Sequence, residues 1–267
     1  MIQYAGGMAE KSKFDTESTA RHYAAARPTY PSELFDALDD LLGGELALAD
    51  ASVVDVAAGT GISSRQLAER GARVTAVELS AAMLSELAAS SPGVHAVQGS
   101  GHALPLADDS ADLITYAQAW HWMDPDLALP EASRVLRPGG LLALWWNQTD
   151  RSSGWERDQA DRITAVAGPS WNRYSATEMF ERVDLPEGLH THGFTFDWER
   201  TVDLETHISN VASKSYIAGL GAGTAPFLEQ ERRILGEVFP DGQVVERFST
   251  LLVATMPNIR ATIADHV

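Results

Sequence analysis

One stretch, Ser52 to Leu87, constrains this chain more than any other. It reads Ser-Val-Val-Asp-Val-Ala-Ala-Gly-Thr-Gly from 52 to 61 and Ile-Ser-Ser-Arg-Gln-Leu-Ala-Glu-Arg-Gly from 62 to 71. It continues Ala-Arg-Val-Thr-Ala-Val-Glu-Leu-Ser from 72 to 80. Val53, Val54 and Val56 make an apolar, β-branched run too short for a helix, which suits a buried parallel strand. Ala57 to Gly61 holds only small residues, so the backbone can turn sharply there and let a ligand come close. The spacing predicts a helix over Ile62 to Arg70, ended by Gly71. Val74 to Val77 reads as a second short buried strand, with Glu78 at its carboxyl end. Strand, glycine turn, helix, strand and acid is the layout of a nucleotide site, in which the turn admits the ligand and the acid takes ribose hydroxyls.

The turn lacks the third glycine of the dinucleotide pattern G-x-G-x-x-G, and residue 64 is Ser where that pattern wants Gly or Ala. This disfavours an NAD-type oxidoreductase, which stays open as an alternative. With Asp55 just before it, the shorter turn resembles motif I of the class I S-adenosylmethionine (SAM) methyltransferases. Glu78, 23 residues after Asp55, fits that family's ribose-binding acid. Three further segments carry the resemblance. Tyr-x-x-x-Arg-Pro at 23–28, followed by Tyr-Pro, is similar to the N-terminal motif of small-molecule methyltransferases near trans-aconitate methyltransferase. Ala-Leu-Pro-Leu-Ala-Asp-Asp-Ser-Ala-Asp at 103–112 is close to the family's Ala-Leu-Pro-Phe-x-Asp-x-Ser-Phe-Asp. Leu-Arg-Pro-Gly-Gly at 136–140 is a family turn in which Pro closes a helix and two glycines lead tightly into a strand.

The resemblance implies a Rossmann-like α/β fold, with a mostly parallel seven-stranded sheet in the order 3-2-1-4-5-7-6 and helices on both faces. It implies SAM as cofactor and S-adenosylhomocysteine (SAH) as product. It places Ala57, Gly59 and Gly61 against the methionine moiety, with Asp55 before them. Glu78 falls on the ribose, with Leu79, Met83, Gly101 and His102 bordering the adenine and Gln118 nearby. The family usually has Gly-Asp-Ala after strand three. Here Ser100 stands in the Asp position, and a hydroxyl accepts the adenine amine more weakly than a carboxylate. Tyr23 and Arg27 would approach the methionine end, where a guanidinium suits a carboxylate. Residues 1–42 are expected to form a helical lid segment, with a helix near Thr16 to Ala25. Residues 43–267 would form the SAM-binding core, with acceptor-site additions in 149–240.

Further strands are expected at Val94 to Val97, Leu113 to Tyr116, Leu141 to Trp146, Phe194 to Val202 and Val244 to Met256. Further helices are expected at Pro31 to Leu42, Ser80 to Ser90, Pro125 to Val135, Ser153 to Val166, Leu204 to Val211 and Pro226 to Phe239. Ligands of open α/β sheets lie outside the carboxyl ends of the strands, so Gln118, Trp120, His121 and Trp122 after strand four are candidate pocket residues. His121 is the obvious general base, because imidazole titrates near neutral pH. Tyr23 is the candidate for positioning, and its aromatic face and that of Trp120 suit a sulfonium by cation–π attraction. Phe14, Trp146, Asn147, Trp171 and Tyr216 complete the candidate acceptor pocket. Tyr216 belongs to a Ser-Lys-Ser-Tyr segment resembling one the subfamily places over its substrate.

Net charge is −17, which argues against nucleic acid or an anionic membrane as partner. Absence of Cys removes disulfides, thiolate metal sites and cysteine nucleophiles. His190 and His192 lack a third ligand at sensible spacing, so no metal is expected. No apolar run approaches a membrane span and no signal peptide precedes the first helix, so a cytoplasmic monomer or homodimer is expected. The reading is a methyltransferase acting on nitrogen or oxygen of a small molecule, a specialised metabolite; a protein methyltransferase remains the other alternative. With few Lys or Arg among the candidate pocket residues, the acceptor is expected to be neutral or cationic.

Overall fold

The computed structural model describes residues 26–43, 47–151, 154–168, 183, 185 and 189–255. Its centre is a seven-stranded sheet in the order β3-β2-β1-β4-β5-β7-β6. β1 (Ser52–Val56) pairs in parallel with β2 (Arg73–Glu78) on one side and β4 (Ala111–Ala117) on the other. β3 (His95–Gln98) lies outside β2, and β5 (Leu136–Thr149) outside β4, both parallel. β7 (Gln243–Thr255) then runs antiparallel to β5 and to the edge strand β6 (Thr191–Asp203). The expected order and the mostly parallel sense are both present.

Helices occupy the expected stretches from Pro31 onward; the helix expected near Thr16 to Ala25 lies outside the described residues. They are α1 (Ser32–Leu42), α2 (Ile62–Glu69), α3 (Ala81–Ser90), α4 (Pro125–Val135), α5 (Gly154–Ala167), α6 (Leu204–Ala212), the single turn α7 (Ser215–Ala218) and α8 (Thr224–Val238). α1 follows the extended Pro31 and buries Leu34, Phe35 and Leu38; Leu41 and Leu42 are only half-buried. α3 is capped by Ser80, whose hydroxyl accepts from the Met83 amide at 3.4 Å. Two apolar clusters flank the sheet. Trp145 anchors one beneath the edges of Tyr30 and Phe35, with ring centroids 5.8 and 6.3 Å away, and Trp146 belongs to the other. Period-two alternation therefore sends the two neighbouring indoles to opposite faces, and both are core.

β5 starts five residues before the expected Leu141. Leu136 already pairs with Ala111, and the register shifts between Ala111 and Leu113 to accommodate the Pro-Gly-Gly bend, where Gly139 adopts φ +86°. The expected turn is therefore a kink inside the strand rather than a loop before it.

A buried carboxylate aligns the switch point of the sheet. Asp55, in β1, has no exposed surface. It accepts from Ser64 Oγ of α2 at 2.6 Å and from Thr115 Oγ1 of β4 at 2.8 Å. One side chain thereby ties the central strand to its neighbour and to the first turn of the following helix. Asp55 stands behind the glycine turn, so its expected cofactor contact is corrected to a structural one. Burial raises its carboxyl to about 6, with the Ser64 and Thr115 bonds opposing. A carboxyl that binds its proton more tightly when folded favours the fold at low pH. That contribution is complete below the unfolded value near 4 and is lost as pH climbs through about 6. Asp55→Asn removes the titration. In urea unfolding between pH 4 and 7, the wild type is expected to lose up to about 3 kcal/mol relative to Asp55→Asn. Parallel stability curves for the two proteins would show that this carboxyl does not titrate in the fold.

Candidate functional site

The carboxyl ends of β1, β2 and β4 open into a cleft of about 550 Å³. Its floor is the turn after β1. Ala57, without being glycine, adopts φ 54°, and Gly59 adopts φ 58°. Strain at an alanine is tolerated where surrounding bonds enforce it. Here they are the Ala58 amide donating to Val77 O at 3.2 Å and the Gly59 amide donating to Glu78 Oε2 at 2.8 Å. A side chain built on Gly59 would meet nothing within 4 Å, so this backbone faces open space. Gln118, just after β4, is the other non-glycine residue lining the cleft with positive φ, at 58°. Its amide donates to Trp145 O at 2.8 Å and its Nε2 to Asn147 O at 3.2 Å.

Glu78 is the acid at the tip of β2. Oε2 takes the Gly59 amide and Oε1 takes the Ser80 amide, both at 2.8 Å. Leu79 follows, 68% exposed yet lining the cleft, with Met83 buried beside it. Across the cleft, the turn after β3 presents Ser100, Gly101 and His102. Ser100 Oγ accepts from the His102 amide at 3.2 Å, and His102 Nε2 accepts from the Asp124 amide at 2.9 Å. The imidazole therefore carries no proton on Nε2 in this arrangement and pins the turn to the start of α4. Arg27 lines the cleft from the other side and donates from Nη2 to Ser213 O at 3.0 Å.

Of the sequence-predicted residues, twelve line the cleft: Arg27, Ala57, Gly59, Glu78, Leu79, Met83, Ser100, Gly101, His102, Gln118, Trp122 and Asn147. Phe14, Tyr23 and Trp171 lie outside the described residues. Gly61 is a packing glycine at the start of α2. It is left-handed with φ 79°, and a side chain there would stand 2.7 Å from Leu87 of α3. Trp120 and Trp146 are corrected from pocket to core, at 5% and 4% exposure. Trp120 turns back under the sheet and meets the edge of Tyr116 with ring centroids 5.0 Å apart. The indole left outside is Trp122, 65% exposed at the cleft.

His121 shares a short 3-10 turn with these two, its ring 4.8 Å from Trp122, but does not line the cleft. Its pKa is held below the ordinary imidazole value by the desolvating surroundings first and then by the Arg27 charge; the open side chain limits the first effect. It is neutral at pH 7.

Tyr216 lines a different space. A second cavity of about 40 Å³ lies between α5, α6 and β7, bordered by Arg151, Gln159, His207, Asn210, Tyr216 and Glu246. Its wall is a polar chain. Glu246 meets Arg200 Nε at 2.5 Å, His207 Nδ1 at 2.7 Å and Asn210 Nδ2 at 3.0 Å. Burial works against its charge, yet these partners hold Glu246 down at about 2. Sequence reasoning missed Lys214 and Phe248, which border both spaces. Lys214 sits in the very Ser-Lys-Ser-Tyr segment that pointed to Tyr216. Phe248 gives no signal, because an aromatic in an alternating strand reads as core. Lys214 adds a second cation to the main cleft beside Arg27, which the sequence already places there.

Among the described residues, no three His, Asp or Glu side chains gather to hold a metal ion, and no helix is long and apolar enough to cross a membrane.

Residues 54–144 match the methyltransferase domain family known as type 11. An uncharacterized methyltransferase of Mycobacterium tuberculosis (strain H37Rv) is 39% identical over 195 residues, 73% of this chain and 74% of that one. An uncharacterized methyltransferase of Schizosaccharomyces pombe is 34% identical over 195 residues, 71% of this chain and 76% of its own. Among solved structures, a presumed type II methyltransferase from Anaeromyxobacter dehalogenans superposes with a TM-score of 0.64 at 22% identity, covering 87% of this chain and 98% of that one. The shared fold, the glycine turn backed by Glu78 and these relatives agree: the chain belongs to the class I SAM-dependent methyltransferases and is not a dinucleotide oxidoreductase.

Proposed function

We propose that this enzyme transfers the methyl group of SAM to a nitrogen or oxygen of a small molecule, a specialised metabolite rather than a polypeptide. One observation carries the reading: a carboxylate clasps the glycine turn at the floor of a cleft about 550 Å³ in volume, and the turn's backbone faces open space. A cleft of this size fits a small ligand.

The residues present fit the donor. Glu78 gives one lone pair on each oxygen to an amide and keeps others for ribose hydroxyls. Leu79 and Met83 offer an apolar wall to an adenine, with Ser100 and His102 facing them. The Arg27 guanidinium suits the amino-acid carboxylate. Bound there, SAM supplies a methyl group already activated on a sulfonium. The chain's task is to hold the acceptor atom in line and to exclude water. Trp122, exposed at the cleft, offers an aromatic surface for the acceptor. An amine acceptor needs only to arrive deprotonated.

Tritium transfer from labelled SAM into a small-molecule extract, compared with a polypeptide fraction of the same cells, tests the function. Label appearing only in polypeptide would sink the small-molecule reading. Glu78→Ala is expected to weaken SAH binding by about 1–3 kcal/mol in calorimetry, the order lost with a charged hydrogen-bond partner. An unchanged affinity would take Glu78 out of the site. Because His121 does not line the cleft, His121→Ala is expected to lower the maximal rate less than about tenfold. A loss of about a hundredfold would instead make it the general base.

A further inference from the structure

Lys214 and Phe248 are the residues that border both the main cleft and the small cavity, so together they form the wall between them. Lys214 is the extended residue just before α7, and its own carbonyl accepts from the Ile217 and Ala218 amides. Its side chain is half-buried, and its ammonium makes no hydrogen bond or ion pair with any described residue. The carboxylate within electrostatic reach, Glu246, is already committed to Arg200, His207 and Asn210. Arg27 and Arg200 stand close enough to act on the ammonium as well. Burial first, then these two guanidinium charges, push Lys214 down to about 7, with Glu246 opposing. The half-open side chain limits the burial effect, but a partly desolvated cation without an acceptor still costs free energy that an anion placed against it recovers.

The surroundings select the kind of anion. The cavity behind Lys214 is about 40 Å³, room for a group the size of a water molecule or two. Tyr216 lines it and keeps its hydroxyl proton, since burial lifts its pKa to about 12, against Arg27 and Arg151. An ammonium beside a space this small suits one flat group with two acceptor oxygens. We propose that the methyl acceptor carries a carboxylate, which seats on Lys214 at the wall between the two cavities. The proposal rests on the small-molecule methyltransferase reading and departs from the neutral or cationic acceptor expected from sequence. Phe248 provides the apolar side of the seat. Its ring stacks on Trp198 at 4.8 Å and lies 5.9 Å below the Arg200 guanidinium, so its position is fixed.

The test uses the full chain. A small-molecule extract is divided on an anion exchanger before the enzyme and labelled SAM are added, and SAH affinity is measured alongside by calorimetry. Acceptor activity is expected in the retained fraction and is expected to vanish when that fraction is first amidated with carbodiimide and an amine. Activity that survives amidation would indicate a phosphate-type anion and overturn the carboxylate. Activity in the unretained fraction, or in neither fraction with SAH still bound, overturns the proposal and leaves the donor site standing. Failure of SAH to bind would instead overturn the methyltransferase reading itself. Lys214→Gln is expected to raise the amount of retained fraction needed for half-maximal rate at least tenfold, with SAH affinity within threefold of the parent. Lys214→Arg should recover part of that loss. A Lys214→Gln variant that binds SAH and uses the acceptor as well as the parent removes Lys214 from the seat.

Discussion

The Glu78 carboxylate is the interaction on which the rest of the site depends. Its two oxygens hold two backbone amides, Gly59 in the turn after β1 and Ser80 at the start of α3. Hydrogen bonds from amides to a charged carboxylate are stronger than neutral ones, and the left-handed Ala57 and Gly59 need such bonds to persist. The clasp thus makes the turn before any ligand arrives, so binding need not order it. Asp55 performs the matching task from below, on the buried side of the same turn. One acid faces the cleft and the other faces the core, and between them the loop has little freedom to collapse into the space it borders.

The parallel half of the molecule was legible in its sequence because its signals are local. Short β-branched strands, glycines at forced turns and Ser80 as a helix cap each act within a few residues. Most of the twelve cleft residues stand on the turns at the ends of those strands, Met83 stands in the helix that follows β2, and Arg27 is marked by the N-terminal motif instead. The misplaced residues are those whose fate is decided by distant partners. Trp120, His121 and Trp122 look alike from sequence, but a 3-10 turn separates them by about a third of a circle each. Tyr116 claims Trp120, so Trp122 is left outside. Trp146 was misplaced because both faces of β5 are covered, which leaves an alternating strand no solvent side.

The acceptor side was less legible for a topological reason. β7 inserts antiparallel between β5 and β6, which brings Phe248 and Glu246 across from Thr149 and Arg200 over long separations in sequence. Lys214 reaches the cleft only because α6 and α7 fold back onto that hairpin, while Arg200 holds the carbonyls of Ala26 and Arg27 at 2.8 and 3.3 Å. Scattered along the chain, the basic residues look unclustered. Folding gathers Arg27, Arg200 and the Glu246 carboxylate around Lys214. In a protein of net charge −17, that interior concentration of positive charge contrasts with the acidic composition of the whole. An anionic ligand is repelled by the protein at long range and attracted only within the cleft, where the nearby cations act through a lower dielectric.

Asn147 shows how the two halves are held in one geometry. Its carbonyl accepts from Gln118 at the end of β4, and its Oδ1 accepts from Thr250 Oγ1 of β7 at 2.5 Å. Its Nδ2 donates to Thr29 O, in the segment leading to α1, at 2.8 Å. Trp198 Nε1 of β6 adds a bond of 2.8 Å to the same Thr250 hydroxyl. One residue therefore joins three parts: its backbone carbonyl takes the end of β4, and its side-chain amide ties the inserted hairpin to the N-terminal segment. Methyl transfer in line requires the acceptor wall to stand at a fixed distance from the glycine turn, and small displacements are costly in rate. Aspartate at this position would keep an acceptor for Thr250 but lose the donor to Thr29, freeing the N-terminal segment while leaving the hairpin in place. The position thus needs an amide, with a donor and an acceptor on one short side chain, because it lies between the inserted hairpin and the N-terminal segment.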